Sequence, residues 1–83
     1  MITGRQIRAA RGFLAWDGRD LAEKAVVTIY TLERIETGME ISGAAMTKAL
    51  FSINAALEAE GIEFTDDAGV PGVRLHLKKR KGK

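Results

Sequence analysis

The sequence predicts a mainly α domain of four helices followed by a C-terminal two-stranded β-hairpin. Up to Gly61, apolar residues recur every three or four positions, which is the period of an α-helix. After Gly61 they alternate with polar residues, which is the period of a strand. With 83 residues, 46% of them hydrophobic and 29% charged, the chain has the size and composition of one folded domain.

The first two helices are predicted from capping residues and from the apolar stripes that follow them. Thr3 and Gln6 have the spacing of a capping box, which predicts a helix over about 4–15. Asp17 is a favourable N-cap, and the apolar positions after it predict a second, short helix over 19–25.

The next two helices follow the same logic. Thr28 is the N-cap candidate of a third helix over about 29–37, which Gly38 is placed to end in the left-handed conformation. Ser42 is the N-cap candidate of a fourth, longer helix, which Gly61 ends.

The hairpin is predicted from two alternating segments, 62–64 and 73–77, separated by a loose loop of turn residues at 66–72. An isolated hairpin is marginal in water, so this one should pack on the helices or pair with a second copy of the chain. Edge-to-edge pairing of the last strand then predicts a homodimer. The residues assigned to this dimer interface are Val73, Leu75 and Leu77.

The charge is unevenly distributed along three predicted units: a helical domain over 1–61, the hairpin over 62–77 and a basic tail over 78–83. The tail holds five of the thirteen basic residues, so residues 1–77 carry eight bases against eleven acids, a net charge of −3. Charge alone is therefore a weak argument for nucleic acid binding. The tail is either a phosphate-binding arm or a solubilising end.

Several functional classes are excluded by the residues present. Without cysteine, the chain has neither disulfides nor thiolate zinc sites. The longest uninterrupted apolar run, 13–16, is too short for a signal peptide or a membrane span, so we expect a cytoplasmic protein with no membrane partner. His76 has no companion residues for metal binding or nucleophilic catalysis, and a Gly-rich phosphate loop is missing. The sequence therefore predicts no enzyme, no metal site and no cofactor.

Three segments, with Trp16 between the first two, resemble the Cro/repressor-like (XRE) helix-turn-helix family over about residues 5–60. They are QIRAAR at 6–11, DLAEKA at 20–25 and LERIETG at 32–38. The hairpin after Gly61 is similar to the tail of short bacterial members. The resemblance implies a transcription regulator that binds double-stranded DNA as a homodimer. Its two recognition helices would enter the major groove about 34 Å apart, on an inverted repeat.

The resemblance also implies roles for individual residues. The residues implied to face DNA bases are Thr28, Ile29, Tyr30, Glu33 and Arg34. The residues implied to contact phosphates are Arg5, Arg8, Gly18, Arg19 and Lys48. Arg11 and Glu36 occupy positions that in some members form an ion pair joining the first and third helices.

Three places depart from the family pattern. Asp17-Gly18 stands where the family has Ser or Thr followed by a phosphate-binding Gln, and the loop 39–42 contains no base. Val26 replaces the usual Gly of the turn, and because a β-branched residue tolerates positive φ poorly, we expect a different turn geometry. The alternative is a protein-binding adaptor or antitoxin on the same scaffold. Its exposed apolar patch would consist of Ile29, Met39 and Ile41.

Overall fold

The computed structural model describes residues 2–38 and 43–77, which form four helices and a two-stranded antiparallel hairpin. The elements are α1 (Gly4–Leu14), α2 (Gly18–Ala25), α3 (Ile29–Glu36), α4 (Gly43–Glu58), β1 (Ile62–Asp67) and β2 (Val70–Leu75). The mainly α fold with a C-terminal hairpin is thus confirmed. The proposed cap of α4, Ser42, lies outside the described residues, as do Met39, Ile41 and the tail over 78–83.

The helix starts follow the predicted caps. The Thr3 hydroxyl accepts the backbone N–H of Gln6, and the Gln6 side-chain oxygen accepts that of Thr3, at 3.2 and 2.9 Å. Asp17 and Asp20 form the same reciprocal box at α2, at 2.8 and 3.0 Å. Thr28 caps α3 through its side-chain oxygen. These bonds satisfy backbone donors that a helix start leaves without intrahelical partners.

The turn between α2 and α3 corrects one expectation, since Val26 adopts the left-handed conformation with φ 57° and ψ 47°. Two backbone bonds impose it: Val26 N–H donates to Glu23 C=O at 3.3 Å, and Val27 N–H donates to Ala22 C=O at 3.0 Å. This is the pattern of a Schellman motif, which normally selects glycine. The turn therefore has the geometry of a glycine-containing Schellman motif, although the left-handed conformation of Val26 costs about 1–2 kcal/mol. Gly38, with φ 79°, follows α3 as predicted.

The prediction of a loose hairpin loop over 66–72 is wrong, because β1 and β2 remain paired up to Asp67 and Val70. Only Ala68 and Gly69 lie between them, both with positive φ (54° and 80°), as in a type I′ turn. The turn-rich segment thus extends the strands and places only two residues at the bend. At the other end β2 stops at Leu75, so Leu77 lies beyond the strand in which it was predicted.

The core lies between the four helices and one face of the hairpin. Its largest fully buried side chains are Ile7, Leu21, Leu32, Ile53 and Leu57. The inward face of the hairpin closes this core with buried Ile62 and with partly buried Phe64, Val73 and Leu75. Among residues 2–38 and 43–77, no helix is long and apolar enough to cross a membrane.

Gln6 fastens the start of α1 to the hairpin. Its side chain is buried, and its amide nitrogen donates to the carbonyl oxygens of Thr65 at 3.1 Å and Gly72 at 2.8 Å. Thr65 and Gly72 are paired across the hairpin, so one side chain bridges both strands. Because a buried amide without partners is costly, these bonds favour this one docking arrangement of helix and hairpin.

Candidate functional site

Helix α3 has one buried face and one open face. Leu32 and Ile35 are almost completely buried against the other helices. The opposite side, which we call the outer face of α3, carries Ile29, Tyr30, Glu33 and Arg34. Ile29 is 41% exposed and Tyr30 is 64% exposed, although both are large and apolar in body. This face brings together four of the five residues predicted to face DNA bases.

Tyr30 and Arg34 form a stacked pair on this face. An Arg34 guanidinium nitrogen donates to the Tyr30 hydroxyl at 3.1 Å, and the guanidinium carbon lies 5.3 Å from the ring centre. The two residues are one helical turn apart, which is the spacing at which side chains meet on a helix surface. Such a contact is worth roughly 0.5–1 kcal/mol at an exposed site, so it reduces the freedom of the guanidinium before any ligand arrives.

Thr28, the fifth residue predicted to face bases, is occupied in the cap of α3. Its hydroxyl accepts the backbone N–H of Thr31 and donates to the Thr31 hydroxyl, both at 3.0 Å. The side-chain oxygen is thus engaged within the chain, while the residue itself is exposed beside the outer face of α3.

Arg11 and Glu36 meet in a two-pronged ion pair between α1 and α3. The Nε and Nη2 atoms of Arg11 donate to the two carboxylate oxygens of Glu36, each at 2.8 Å, and Nη1 donates to the Trp16 carbonyl at 3.1 Å. The side chains are only 20% and 9% exposed. The hydrogen bond to Glu36 raises the pKa of Arg11 above its ordinary value. Arg11 is therefore committed to holding α1 on α3.

The start of α2 carries carboxylates rather than bases. Asp17 and Asp20 are exposed, and each side chain accepts the backbone N–H of the other residue. A helix N-terminus with open N–H groups attracts anions, whereas two carboxylates there repel a phosphate. Gly18, between them, therefore lies in a negatively charged setting. Arg19 follows it and is exposed.

The other basic candidates lie on α1 and α4. Arg5 and Arg8 are exposed one turn apart on α1, where they line a shallow depression of about 560 Å³ with Arg11. Lys48 is exposed on α4. The predicted phosphate-contacting bases thus lie on α1, α2 and α4 rather than forming a continuous row on one helix.

A groove of about 800 Å³ runs between α1, the end of α3 and β2. Phe13, 52% exposed, lines it together with Ala9 and Val73. Sequence analysis did not single out Phe13. Its exposure could have been predicted from its position in the helix, because Phe13 lies outside the stripe of residues that α1 buries.

The residues predicted to form a dimer interface are divided between the chain's own core and its surface. Val73 and Leu75 are partly buried against the core, whereas Leu77 is 69% exposed. The two-residue turn closes on a hydrogen-bonded pair, and pairs alternate from there. Consequently the backbone N–H and C=O groups of Val73 and Leu75 point away from β1, along the outer edge of β2.

The lone histidine, His76, faces the Glu63 carboxylate across the hairpin. In the two described stretches, no cluster of three or more metal-ligating side chains occurs. The hairpin surface also carries an exposed Arg74–Asp67 pair at 3.5 Å. These contacts lie on the exposed face of the hairpin.

Comparison with known proteins adds no relative to this picture. A scan against models of protein families finds no match, and no curated protein matches the chain. The function must therefore be inferred from the arrangement of the side chains themselves.

Proposed function

We propose that this chain is a cytoplasmic, sequence-specific DNA-binding regulator of transcription. In this proposal α2 and α3 act as a helix-turn-helix, and α3 enters the major groove of an inverted-repeat operator bound by a homodimer. Two eight-residue helices, joined by the three residues 26–28, have the lengths and connection that this motif uses. The resemblance to the Cro/repressor-like family points in the same direction.

The observation that carries the proposal is the outer face of α3. Leu32 and Ile35 anchor the helix from below, while the Tyr30–Arg34 stack stands on the open side. In the major groove, an arginine donates to the O6 and N7 acceptors of guanine, which is the commonest specific contact to a base edge. The stack restrains the guanidinium in advance and so lowers the entropy lost on binding.

The electrostatics of this surface predict modest affinity. Arg5, Arg8 and Arg19 are available for phosphates, but Asp17 and Asp20 oppose a phosphate at the start of α2. Each phosphate contact contributes about one unit to the slope of log affinity against log salt. We therefore expect a shallow salt dependence, with sequence preference coming mainly from the outer face of α3.

The test is selection of bound sequences from random duplex DNA at low and near-physiological salt. An enriched inverted repeat that persists at the higher salt supports the proposal. Arg34→Ala should then relax the preference at one position of each half-site by roughly 1–3 kcal/mol. Arg74→Ala removes an equally charged, exposed side chain from the hairpin and is the matched control, expected to leave the base preference unchanged.

The homodimer is proposed to form through the outer edge of β2. Val73 and Leu75 present backbone groups there, and Pro71, which has no N–H, leaves a gap at the turn end of this edge. Leu77→Asp adds a charge at an exposed position of the predicted interface, just beyond β2, and should yield monomers by light scattering. Val70→Asp, at the opposite end of β2, is the control. A dimer that survives Leu77→Asp unchanged contradicts this interface.

A protein-binding module is the second candidate, as an adaptor or the antitoxin of a toxin pair. Two observations favour it: the carboxylates of Asp17 and Asp20 at the start of α2, and the groove beside Phe13. If selection yields only salt-sensitive binding without sequence preference, or none, this candidate replaces the DNA-binding one. The outer face of α3 then becomes the surface on which to locate the partner.

A further inference from the structure

The first residue of α2, Gly18, leaves room that a residue of α3 occupies. A Cβ atom placed on Gly18 would lie 3.2 Å from the Cδ1 methyl of Ile29 and 3.9 Å from a methyl of Leu32. The first distance is shorter than an ordinary van der Waals contact, so a Cβ at position 18 requires the Ile29 methyl to shift by a few tenths of an ångström. Gly18 and Ile29 are therefore spatially coupled.

The Ile29 side chain lies beside Gly18 and is partly open to solvent. Leu32 is only 1% exposed and fixed in the core, and the Gly18 backbone faces the Ile29 side chain. As a β-branched residue in a helix, Ile29 has one strongly preferred χ1 rotamer. Its remaining surface, 41% of the residue, opens into a depression of about 320 Å³ whose polar rim includes Arg8 and Glu33. The result is a small, oriented apolar group in a polar setting.

We propose that Gly18 is a positioning residue for Ile29, and that Ile29 reads the C5-methyl group of a thymine in the major groove. This inference rests on the proposed DNA-binding function and specifies one base of each half-site. Isoleucine has no hydrogen-bonding atoms in its side chain, and the thymine methyl is the apolar group that base edges present in the major groove. Ile29 lies next to Tyr30, so both residues meet the same stretch of operator.

The contact has a clean chemical probe, because deoxyuridine differs from thymidine only by that methyl group. Burying one methyl contributes about fourfold in affinity at 25 °C. In the selected operator, each thymine is replaced in turn by deoxyuridine, symmetrically in both half-sites, and the dissociation constant is measured. For the natural chain, one position should show a loss of about fourfold per half-site.

Two variants assign this loss to the Gly18–Ile29 contact. The thymine-to-uracil ratio is the affinity for the operator with thymine at that position divided by the affinity for the operator with uracil there. Ile29→Ala should bring this ratio to about one, since no apolar side chain of the same reach remains to contact the methyl group. Gly18→Ala should reduce the ratio as well, because the new Cβ displaces Ile29. Gly12→Ala is the matched control: it is also a helical glycine, but nothing lies within 4 Å of its added Cβ. It should keep the full ratio.

The unbound chain provides an independent readout of the coupling. In methyl NMR spectra, Gly18→Ala should shift the Cδ1 resonance of Ile29, whereas Gly12→Ala should leave it in place. Both variants should retain the helical circular dichroism of the natural chain. A shifted methyl together with a reduced thymine-to-uracil ratio supports the proposal, and a merely structural effect of Gly18 would leave the ratio untouched.

The failures are distinguishable. If a specific operator is selected but no thymine in it is sensitive to loss of its methyl, the inference is overturned while the proposed function stands. The inference is likewise overturned if the half-site has no thymine, or if Gly18→Ala keeps the full ratio. If no sequence is enriched at all, the DNA-binding function and the inference are overturned together.

Discussion

The inner side of α1 and the outer face of α3 differ in how their side chains are engaged: those on α1 are bonded within the chain, whereas those around α3 are exposed to solvent. Along α1, Gln6 and Arg11 direct their polar atoms into bonds with the hairpin and with α3. Across the described residues, no buried side-chain nitrogen or oxygen lacks a partner. Around α3, in contrast, Val26, Ile29 and Tyr30 are 89%, 41% and 64% exposed.

This difference separates residues that maintain the fold from residues that the fold only carries. Removing one partner of an inner hydrogen bond or ion pair leaves a buried polar group without a partner, which lowers the free energy of unfolding substantially. An exposed apolar side chain gives the fold little, and Val26 even adopts an unfavourable backbone conformation. The outer residues thus contribute little to stability, which agrees with the binding role proposed for this face.

The largest expected effect is at the inner ion pair. Arg11→Ala leaves the nearly buried Glu36 carboxylate without its partner and should lower the free energy of unfolding by about 3 kcal/mol in urea titrations. Arg74→Ala breaks an exposed pair and should cost under about 0.5 kcal/mol. Because the hydrogen bond to Glu36 raises the pKa of Arg11, the charge of Arg11 persists into strong alkali. Equal losses for the two arginines would erase the distinction between inner and surface pairs.

The next effect is at the joint between α1 and the hairpin. Gln6→Leu removes the donor to the Thr65 and Gly72 carbonyls and half of the α1 capping box, with an expected loss of about 2 kcal/mol. Amide hydrogen exchange should accelerate more in the hairpin than in α2 and α3. Asp20→Ala removes only the equivalent half of the α2 box and should cost less. Uniform acceleration across the chain would show that Gln6 is not specific to the hairpin joint.

A smaller effect of opposite sign is expected in the turn before α3. Val26→Gly relieves the left-handed strain of an exposed β-branched residue and should stabilise the chain by about 1 kcal/mol in the same titrations. Ala15→Gly, at a similar φ of 57°, is the control and should gain less because alanine is unbranched. A destabilised Val26→Gly variant would mean that the Val26 side chain supports the fold after all.

The smallest effect on stability is expected on the outer face of α3. Tyr30→Phe removes the hydroxyl that accepts from Arg34 and should change stability by less than about 0.5 kcal/mol. The same variant should weaken the base preference assigned to Arg34, measured by selection from random duplex DNA. Tyr30→Ala, which also removes the ring under the guanidinium, should weaken it further. A stability loss comparable to that of Gln6→Leu would place Tyr30 among the fold-maintaining residues.

Local signals in the sequence were sufficient for the existence of the six elements and for the starts of α1, α2 and α3. The Thr3–Gln6 box, the Thr28 cap and the position of Gly38 depend on residues a few positions apart, so spacing alone predicts them. The pairing of Arg11 with Glu36 was expected only from the family resemblance, because 25 residues separate the partners.

Features that depend on long-range packing were missed or misjudged. The Gln6 bonds to Thr65 and Gly72 span 59 and 66 residues, and capping spacing gives no hint of them. Val26 was misjudged for a local reason, because two short-range backbone hydrogen bonds of the turn override the preference of its side chain. The Gly18–Ile29 contact, central to the candidate site, depends on how α2 and α3 meet in space.

The two largest aromatic residues are intrinsic spectroscopic probes of two different regions of the chain. Trp16, the only tryptophan, packs against the core at the α1–α2 junction, with its carbonyl bound by Arg11 and the Lys24 ammonium 6.0 Å from its ring. Tyr30, the only tyrosine, stands on the outer face of α3. Tryptophan fluorescence therefore follows unfolding of the interior, while the ring-proton NMR signals of the only tyrosine respond to whatever covers α3. One unlabelled sample can thus separate ligand binding from loss of fold.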